Sequence, residues 1–399
     1  MDISTCKSIV SFLPPARTLM GPGPSDVHPR LLAAMARPTI GHLDPAFVGM
    51  MEELKTLLRY AFQTENALTF PVSGPGSVGM ETCFVNLVEP GDKVIVCRNG
   101  VFGSRMIENV KRCGGVAVVV DDAWGTAVDP GKVEEAFKSN PDARILAFVH
   151  AETSTGAQSD VKALVDIAHR YDALAIVDAV TSLGGTPLKI DEWDVDAVYS
   201  GSQKCLGCTP GLSPVSFGER VVDAIKRRKT PCQSWFMDLN LVLGYWNANK
   251  RTYHHTAPIN PLYGLHEALV MLKEEGLENA WARHALNHRA LKAGIEAMGL
   301  SFFVSETQRL PQLNAVTLPQ GADDAEVRRR LLADYNLEIG AGLGEMAGKI
   351  WRIGLMGYSS RSENVLLCLR ALEEVLAATG AHINTGVAQA AARQVYAVE

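Results

Sequence analysis

Leu174-Ala175-Ile176-Val177-Asp178 is a near-continuous apolar run that ends on a carboxylate. Ala197-Val198-Tyr199-Ser200-Gly201-Ser202-Gln203-Lys204 is a second such run, and it ends in a Gly/Ser turn that carries a lysine. Runs this short and this apolar read as strands buried on both faces. Further runs of the same character stand at 93–97, 116–120, 145–150 and 213–217, with helix-period stretches between them at 80–88, 105–113, 132–138 and 161–171. Strands spaced by helices predict βαβ units and a mainly parallel α/β sheet with helices on both faces. Ligands of such sheets collect at the carboxyl ends of the strands. That is where Asp178 and Lys204 fall.

Beyond Pro258 the pattern changes. Helices are predicted at 262–274 and 278–298, the second a connector, followed by strands at 301–304, 314–318, 337–340 and 350–354. Helices at 325–335 and 362–378 cover them, and the Ala-rich last twenty residues read as helical. The expected organisation is an N-terminal extension at 1–20, a large α/β domain at 21–275 and a small α+β domain at 276–399.

Composition narrows the function. At 399 residues the chain can bury a full core without disulfide or metal staples. Its 44 acidic and 38 basic residues leave a net charge of −6, which argues against a general nucleic-acid binder. No apolar run reaches the ~18 residues of a membrane span. The apolar stretch at 9–13 is cut off by Pro14 and Pro15, which reads as a cytosolic extension, so a cytoplasmic protein is expected. Cys83, Cys97, Cys113 and Cys368 sit in apolar company as core residues. Cys205 and Cys208 have redox or zinc spacing, but a single pair is weak evidence for zinc.

Several residues could carry chemistry. Asp178 at the end of a buried strand is either a helix cap or the partner of a bound positive charge. Most lysines are surface lysines. Lys204, however, has tight apolar flanks, and burial there lowers its pKa and makes it a competent amine for condensation with an aldehyde. It follows Asp178 by twenty-six residues, so neighbouring strands can bring both to one crevice. The Gly/Ser-rich stretch 71–81, which leads into a helix, suits an anion at its backbone amides, although Gly/Ser caps open many helices. Arg352 on an otherwise apolar strand fits a substrate carboxylate or, equally, an edge-strand salt bridge. His254 and His255 lack a third metal ligand, so the loop from Tyr253 to Thr256 is better suited to phosphate contacts. A lysine, a carboxylate, a phosphate cradle and an arginine together ask for an aldehyde, a basic ring nitrogen and a phosphate. Pyridoxal 5′-phosphate has all three.

These segments resemble the class V aminotransferases of the fold-type I pyridoxal-phosphate enzymes, from Gly21-Pro22-Gly23-Pro24-Ser25 to about Ala378. The combination of Glu152-Thr153-Ser154-Thr155-Gly156, Val177-Asp178, Ser200 to Lys204 and Tyr253 to Thr256 looks most like alanine–glyoxylate and serine–glyoxylate aminotransferases. The resemblance implies a seven-stranded-type sheet, with Lys204 as the residue joined to the cofactor and Asp178 as the partner of its ring nitrogen. Gly76, Ser77 and Gln203 would hold the phosphate, with Tyr253 and Thr256 reaching in from the second subunit of a homodimer. Thr153 would meet the ring hydroxyl, Phe102 would stack on the ring where relatives often have Trp, and Gly23 and Arg352 would bind substrate. The substrates implied are a small amino acid and a 2-oxo acid.

The stretches 41–47 and 348–358 are also similar to ureidoglycine–glyoxylate aminotransferases. That group has amides in place of His42 and Tyr253, which favours a plain amino acid here, alanine or serine. Rival classes fit less well. A nicotinamide oxidoreductase lacks its glycine fingerprint, and a non-catalytic scaffold has no use for the full residue set. A cysteine desulfurase would want a cysteine on a mobile C-terminal loop, where the chain offers only Cys368 within an expected helix.

Overall fold

The computed structural model describes residues 10–246 and 252–398. The first nine residues of the expected N-terminal extension, and Glu399 of the expected C-terminal helix, lie outside the described residues. Ile145–Val149 is apolar and buried at every position, so it has no wet face and must sit within a sheet covered on both sides. It is β4 of a seven-stranded sheet with β1 (Leu68–Ser73), β2 (Lys93–Arg98), β3 (Val116–Asp121), β5 (Leu174–Asp178), β6 (Ala197–Tyr199) and β7 (Leu212–Phe217). The spatial order is β1-β7-β6-β5-β4-β2-β3. Only β7 runs against its neighbours, β1 and β6; the other pairs are parallel. The mainly parallel α/β sheet read from the sequence is therefore the one observed.

Four amphipathic helices lie along the sheet-forming part of the chain, α1 (Gly76–Leu87), α2 (Val101–Arg112), α3 (Pro130–Ser139) and α4 (Val161–Arg170). Their apolar faces join one large core that also takes in α5 (Ile259–Glu275). A second core surrounds an antiparallel sheet of β8 (Leu313–Thr317), β10 (Ile350–Gly354) and β9 (Gly340–Ala341), in that order. The helix α6 (Leu277–Ala297) serves both: Leu277 and Ala280 pack in the first core, Ala290, Leu291 and Ile295 in the second. Helices α7 (Asp324–Tyr335), α8 (Ser362–Ala378) and α9 (Ala388–Val398) complete the second core.

Three local expectations change. Residues 301–304 form no strand; a single bridge, Phe302 to Val316, is all that pairs there. The strand expected at 337–340 divides around Ile339: Leu337–Glu338 pairs with Thr18–Leu19, while Gly340–Ala341 pairs with β10. The strand β1 is not among the expected runs, because the sequence from Pro71 reads as part of the Gly/Ser-rich stretch that leads into a helix; it lies at the sheet edge, where Pro71 is tolerated.

Among the described residues no helix is long and apolar enough to cross a membrane. One close contact fixes how α1 lies on the sheet. A methyl group at Gly79 would come within 2.0 Å of the Ser213 hydroxyl and 3.1 Å of Tyr199 Cβ. That hydroxyl donates to the Ser200 carbonyl at 2.6 Å and cannot swing aside without losing the bond. Gly79→Ala should therefore destabilise the protein by ~1–3 kcal/mol, the usual cost of overpacking. Ser213→Ala in the same chain should recover part of that loss. Denaturant unfolding of the single and double variants checks it, and additive effects would show that the two positions do not touch.

Candidate active site

The register of the two central strands sets Asp178 directly beside Tyr199. Tyr199 is fully buried, and its hydroxyl donates to Asp178 Oδ2 at 2.7 Å. The Val180 amide donates to Oδ1 at 2.8 Å. Among the described residues no cation forms an ion pair with this carboxylate, although it is only 2% exposed. Burial pushes its pKa up to about 7; the two donors pull it back, Glu152 pushes it further up, and Lys204 pulls it down. An acid in this state is short of a positive partner.

Lys204 lies in the turn after β6 and is buried. Burial pushes its amine down to about 8; the cations Arg352 and Arg105 add to that, while Cys205 and Asp178 oppose it. The amine donates to the Pro22 carbonyl. The chain at Pro22–Gly23 thus lies across the lysine, and Gly23 is there because nothing larger fits. Its φ is +106°, and a Cβ would stand 2.7 Å from the lysine Nζ. Ser25 ties the same segment to the turn: its amide donates to the Gln203 carbonyl at 3.0 Å and its hydroxyl to the Lys204 carbonyl at 3.2 Å.

Gly76 and Ser77 begin α1, whose N-cap residue Pro75 supplies no side-chain bond to the first-turn amides. A Cβ at Gly76 would meet Val180, Ser200 and Gly201, so the helix start abuts the turn that leads to Lys204. The Gln203 side-chain oxygen is buried without a partner among the described residues. Open helix amides beside an unsatisfied carboxamide suit an anion, since a half-turn of the amide presents its NH₂. Tyr253 and Thr256 are both exposed, and Tyr253 packs its ring against His42. Among the described residues neither bonds to Asp178, Lys204 or Gly76 of its own chain. Their neighbour His255 bonds Ser73 at 2.9 Å, just ahead of the α1 start.

Thr153 is buried, with its hydroxyl 2.8 Å from that of Thr181. Its carbonyl accepts from Arg352 Nη1 at 3.1 Å, while Arg352 Nε donates to Ala341 at 2.7 Å. Arg352 lies on β10, the middle strand of its sheet, and forms no ion pair among the described residues. The edge-strand salt bridge weighed from sequence is thus not what holds it. Burial lowers its pKa to about 10. Phe102 is half-buried in the first turn of α2, with the Arg105 guanidinium 4.8 Å from its ring centre. Cys368 is fully buried in α8, far from what a loop nucleophile requires. Cys205 and Cys208 are buried free thiols.

Sequence reasoning did not single out Tyr199, Val180, Pro22 or Glu152 as working parts of the site. Pro22 and Glu152 lie inside motifs that carry the family resemblance, and Tyr199 had a signal of its own, a hydroxyl in an otherwise apolar strand that needs a buried partner. The arrangement suits the cofactor expected from the sequence: Asp178 lacks a cation, Lys204 is an amine of lowered basicity, and α1 offers an anion seat.

Residues 28–363 match the family model described as Aminotransferase class-V. The chain is 41% identical over 401 residues to the (S)-ureidoglycine–glyoxylate transaminase of Bacillus subtilis (strain 168), covering 96% of each. It is 38% identical over 379 residues to the alanine–glyoxylate aminotransferase of Drosophila melanogaster, covering 94% of this chain and 96% of that one. Among solved structures it is similar to an alanine–glyoxylate aminotransferase from Nostoc sp., with TM-score 0.92 and 45% identity, covering 94% of this chain and 99% of that one.

The raised Asp178 pKa makes a test of the bare site. An acid whose folded value is about 7 against an ordinary 3.8 favours folding when protonated. That stability is present below the unfolded value and is lost as pH rises through the folded one. In protein freed of cofactor, Asp178→Asn should gain stability over the parent steadily between about pH 4 and 7, with the difference level above that. A difference in unfolding midpoint that stays flat with pH would show that the carboxyl is ionised throughout.

Proposed function

Because the chain belongs to the class V aminotransferases, which work with pyridoxal 5′-phosphate, we propose that it moves the amino group of a small amino acid to glyoxylate. Alanine is the donor we favour, and the products are glycine and a 2-oxo acid, made in two half-reactions. The observation that carries this reading is a buried carboxylate without a cation beside a buried amine of depressed pKa. Support for the small donor comes from His42 and Tyr253, whose rings pack together at 5.5 Å where a ureido group would be better met by amides.

When bound, the cofactor supplies an aldehyde that takes up amines and a ring that draws electrons from the donor Cα. Lys204 would be the residue joined to that aldehyde, and its free amine would move the donor's Cα proton as general base and acid. A pKa near 8 lets the amine do both close to neutral pH. Asp178 keeps a proton on the ring nitrogen. The α1 start at Gly76 and Ser77, together with Gln203, binds the phosphate. Thr153 orients the ring hydroxyl, Phe102 covers one ring face, and Arg352 with the Gly23 backbone grips the substrate carboxylate.

The same reading makes the working unit a homodimer, in which Tyr253 and Thr256 of one protomer complete the phosphate site of its partner. Tyr253, Trp235 and Leu43 are 64%, 63% and 51% exposed. Tyr253 packs against His42 and Trp235 stacks on His254, so large apolar surface stays in water on this part of the chain, as monomers rarely leave it. Sedimentation at micromolar concentration should return a dimer; a monomer with full activity would overturn this part.

Borohydride treatment of the loaded enzyme should fix the cofactor to the peptide containing Lys204, and Lys204→Ala should abolish that attachment. Attachment at another lysine would remove Lys204 from its role. A unit charge pair at ~4 Å and an effective dielectric of ~20 is worth about 4 kcal/mol. At ~1.4 kcal/mol per tenfold, Asp178→Asn should slow turnover about a thousandfold. The donor is identified by mixing loaded enzyme with alanine, serine or (S)-ureidoglycine and following the loss of visible cofactor absorbance. Alanine should act fastest. A response to the ureido compound alone would overturn the donor assignment.

A further inference from the structure

Glu152 is completely buried and forms no ion pair among the described residues, yet it has four donors. Its Oε1 accepts from the Ser154 amide at 3.1 Å and the Ser154 hydroxyl at 2.5 Å. Its Oε2 accepts from the Phe102 amide at 3.3 Å, and the Gly103 amide also bonds the carboxylate. The Ser154 hydroxyl in turn accepts from the Val101 amide at 3.0 Å. The first three amides of α2 are thus satisfied from the 152–154 turn, while the helix's own N-cap residue, Gly100, offers no side chain. Gly100 is what admits the carboxylate, because a Cβ there would lie 2.4 Å from Glu152 Cδ and 2.5 Å from the Ser154 hydroxyl.

The turn that Glu152 anchors also carries Thr153, whose carbonyl holds Arg352. Resting on the reading that Phe102 covers the cofactor ring and Arg352 binds the substrate carboxylate, we propose that Glu152 is a positioning residue which sets both groups at once. Its oxygens fix the start of α2 and hence where the Phe102 ring lies. Its backbone fixes the Thr153 carbonyl that aims the guanidinium. Its negative charge also favours the charged form of the buried Arg352, against the burial that disfavours it. Both Glu152 oxygens are taken up by Ser154 and the α2 amides, so Glu152 acts through these neighbours.

Glu152→Gln tests this, since an NH₂ must then face N–H donors that require an acceptor. In the loaded enzyme the visible circular dichroism of the cofactor should change, because it reports how the ring sits against Phe102. KM for both donor and acceptor should rise about tenfold to a hundredfold, the effect of leaving one or two buried donors unpaired. kcat should fall less. Gly100→Ala, which displaces the carboxylate without removing it, should shift both readouts the same way and serves if Glu152→Gln does not fold. A parental dichroism band and parental KM in either folded variant, even with a lowered melting temperature, would overturn the proposal. Phe102→Leu separates the two levels. If it leaves the dichroism unchanged, the ring-cover reading falls and this inference with it; if it alters the band while Glu152→Gln does not, only the inference falls.

Discussion

Two opposite charges taken out of water at the ends of neighbouring strands govern this structure. Asp178 and Lys204 are each less stable charged where they sit than they would be in solvent, and burial is the leading cause for both. Among the described residues neither is neutralised by a conventional ion pair. The fold keeps them in place by over-determining their surroundings. Tyr199 and the Val180 amide occupy both oxygens of Asp178, and the Pro22 carbonyl takes the amine of Lys204. A buried acid held this firmly but left short of a cation is suited to charging a ligand rather than to stabilising a fold.

Holding the lysine under the Gly21–Pro24 segment requires the second core. Met20 packs in that core, its carbonyl accepts from the Gly354 amide at 2.7 Å, and Thr18–Leu19 pairs with Leu337–Glu338. The strap across Lys204 is therefore fastened on one side to the Gln203–Lys204 turn and on the other to the sheet that bears Arg352. The group proposed to bind substrate carboxylate and the amine proposed to move the substrate's Cα proton are fastened to one short length of main chain. A movement of the second core relative to the first would be felt at the lysine within a few residues.

Much of this was legible in the sequence, and the limits have a common cause. Period and composition suffice for strands such as Ile145–Val149 and Leu174–Asp178, where every residue must be apolar. They also expose Asp178 and Lys204, because a charge closing an apolar run is conspicuous. Contacts that depend on pairing register leave no local mark. The Tyr199 hydroxyl meets Asp178 only because β5 and β6 align those two residues, and Glu152 reaches the α2 amides only because β4 and β2 are neighbours. Pro71 hides an edge strand, and residues 301–304 have strand-like composition without a partner to complete a ladder. Tyr253 and Thr256 belong to a motif the family resemblance picks out, yet nothing local tells which site they serve.

The charge balance of the cleft completes the physical picture. The chain as a whole carries −6, yet around Lys204 three basic side chains, Lys204, Arg352 and Arg105, act beside two carboxyl groups, Asp178 and Glu152. Both acids are fully committed: Asp178 to Tyr199 and Val180, Glu152 to the start of α2. The two arginines are not. Arg352 gives two of its five donors to backbone carbonyls, and Arg105 forms no ion pair among the described residues. A low-dielectric cleft with uncommitted cations concentrates small anions even on an acidic protein. A cleft with that balance suits small anions, and it does so before any side-chain pocket is considered.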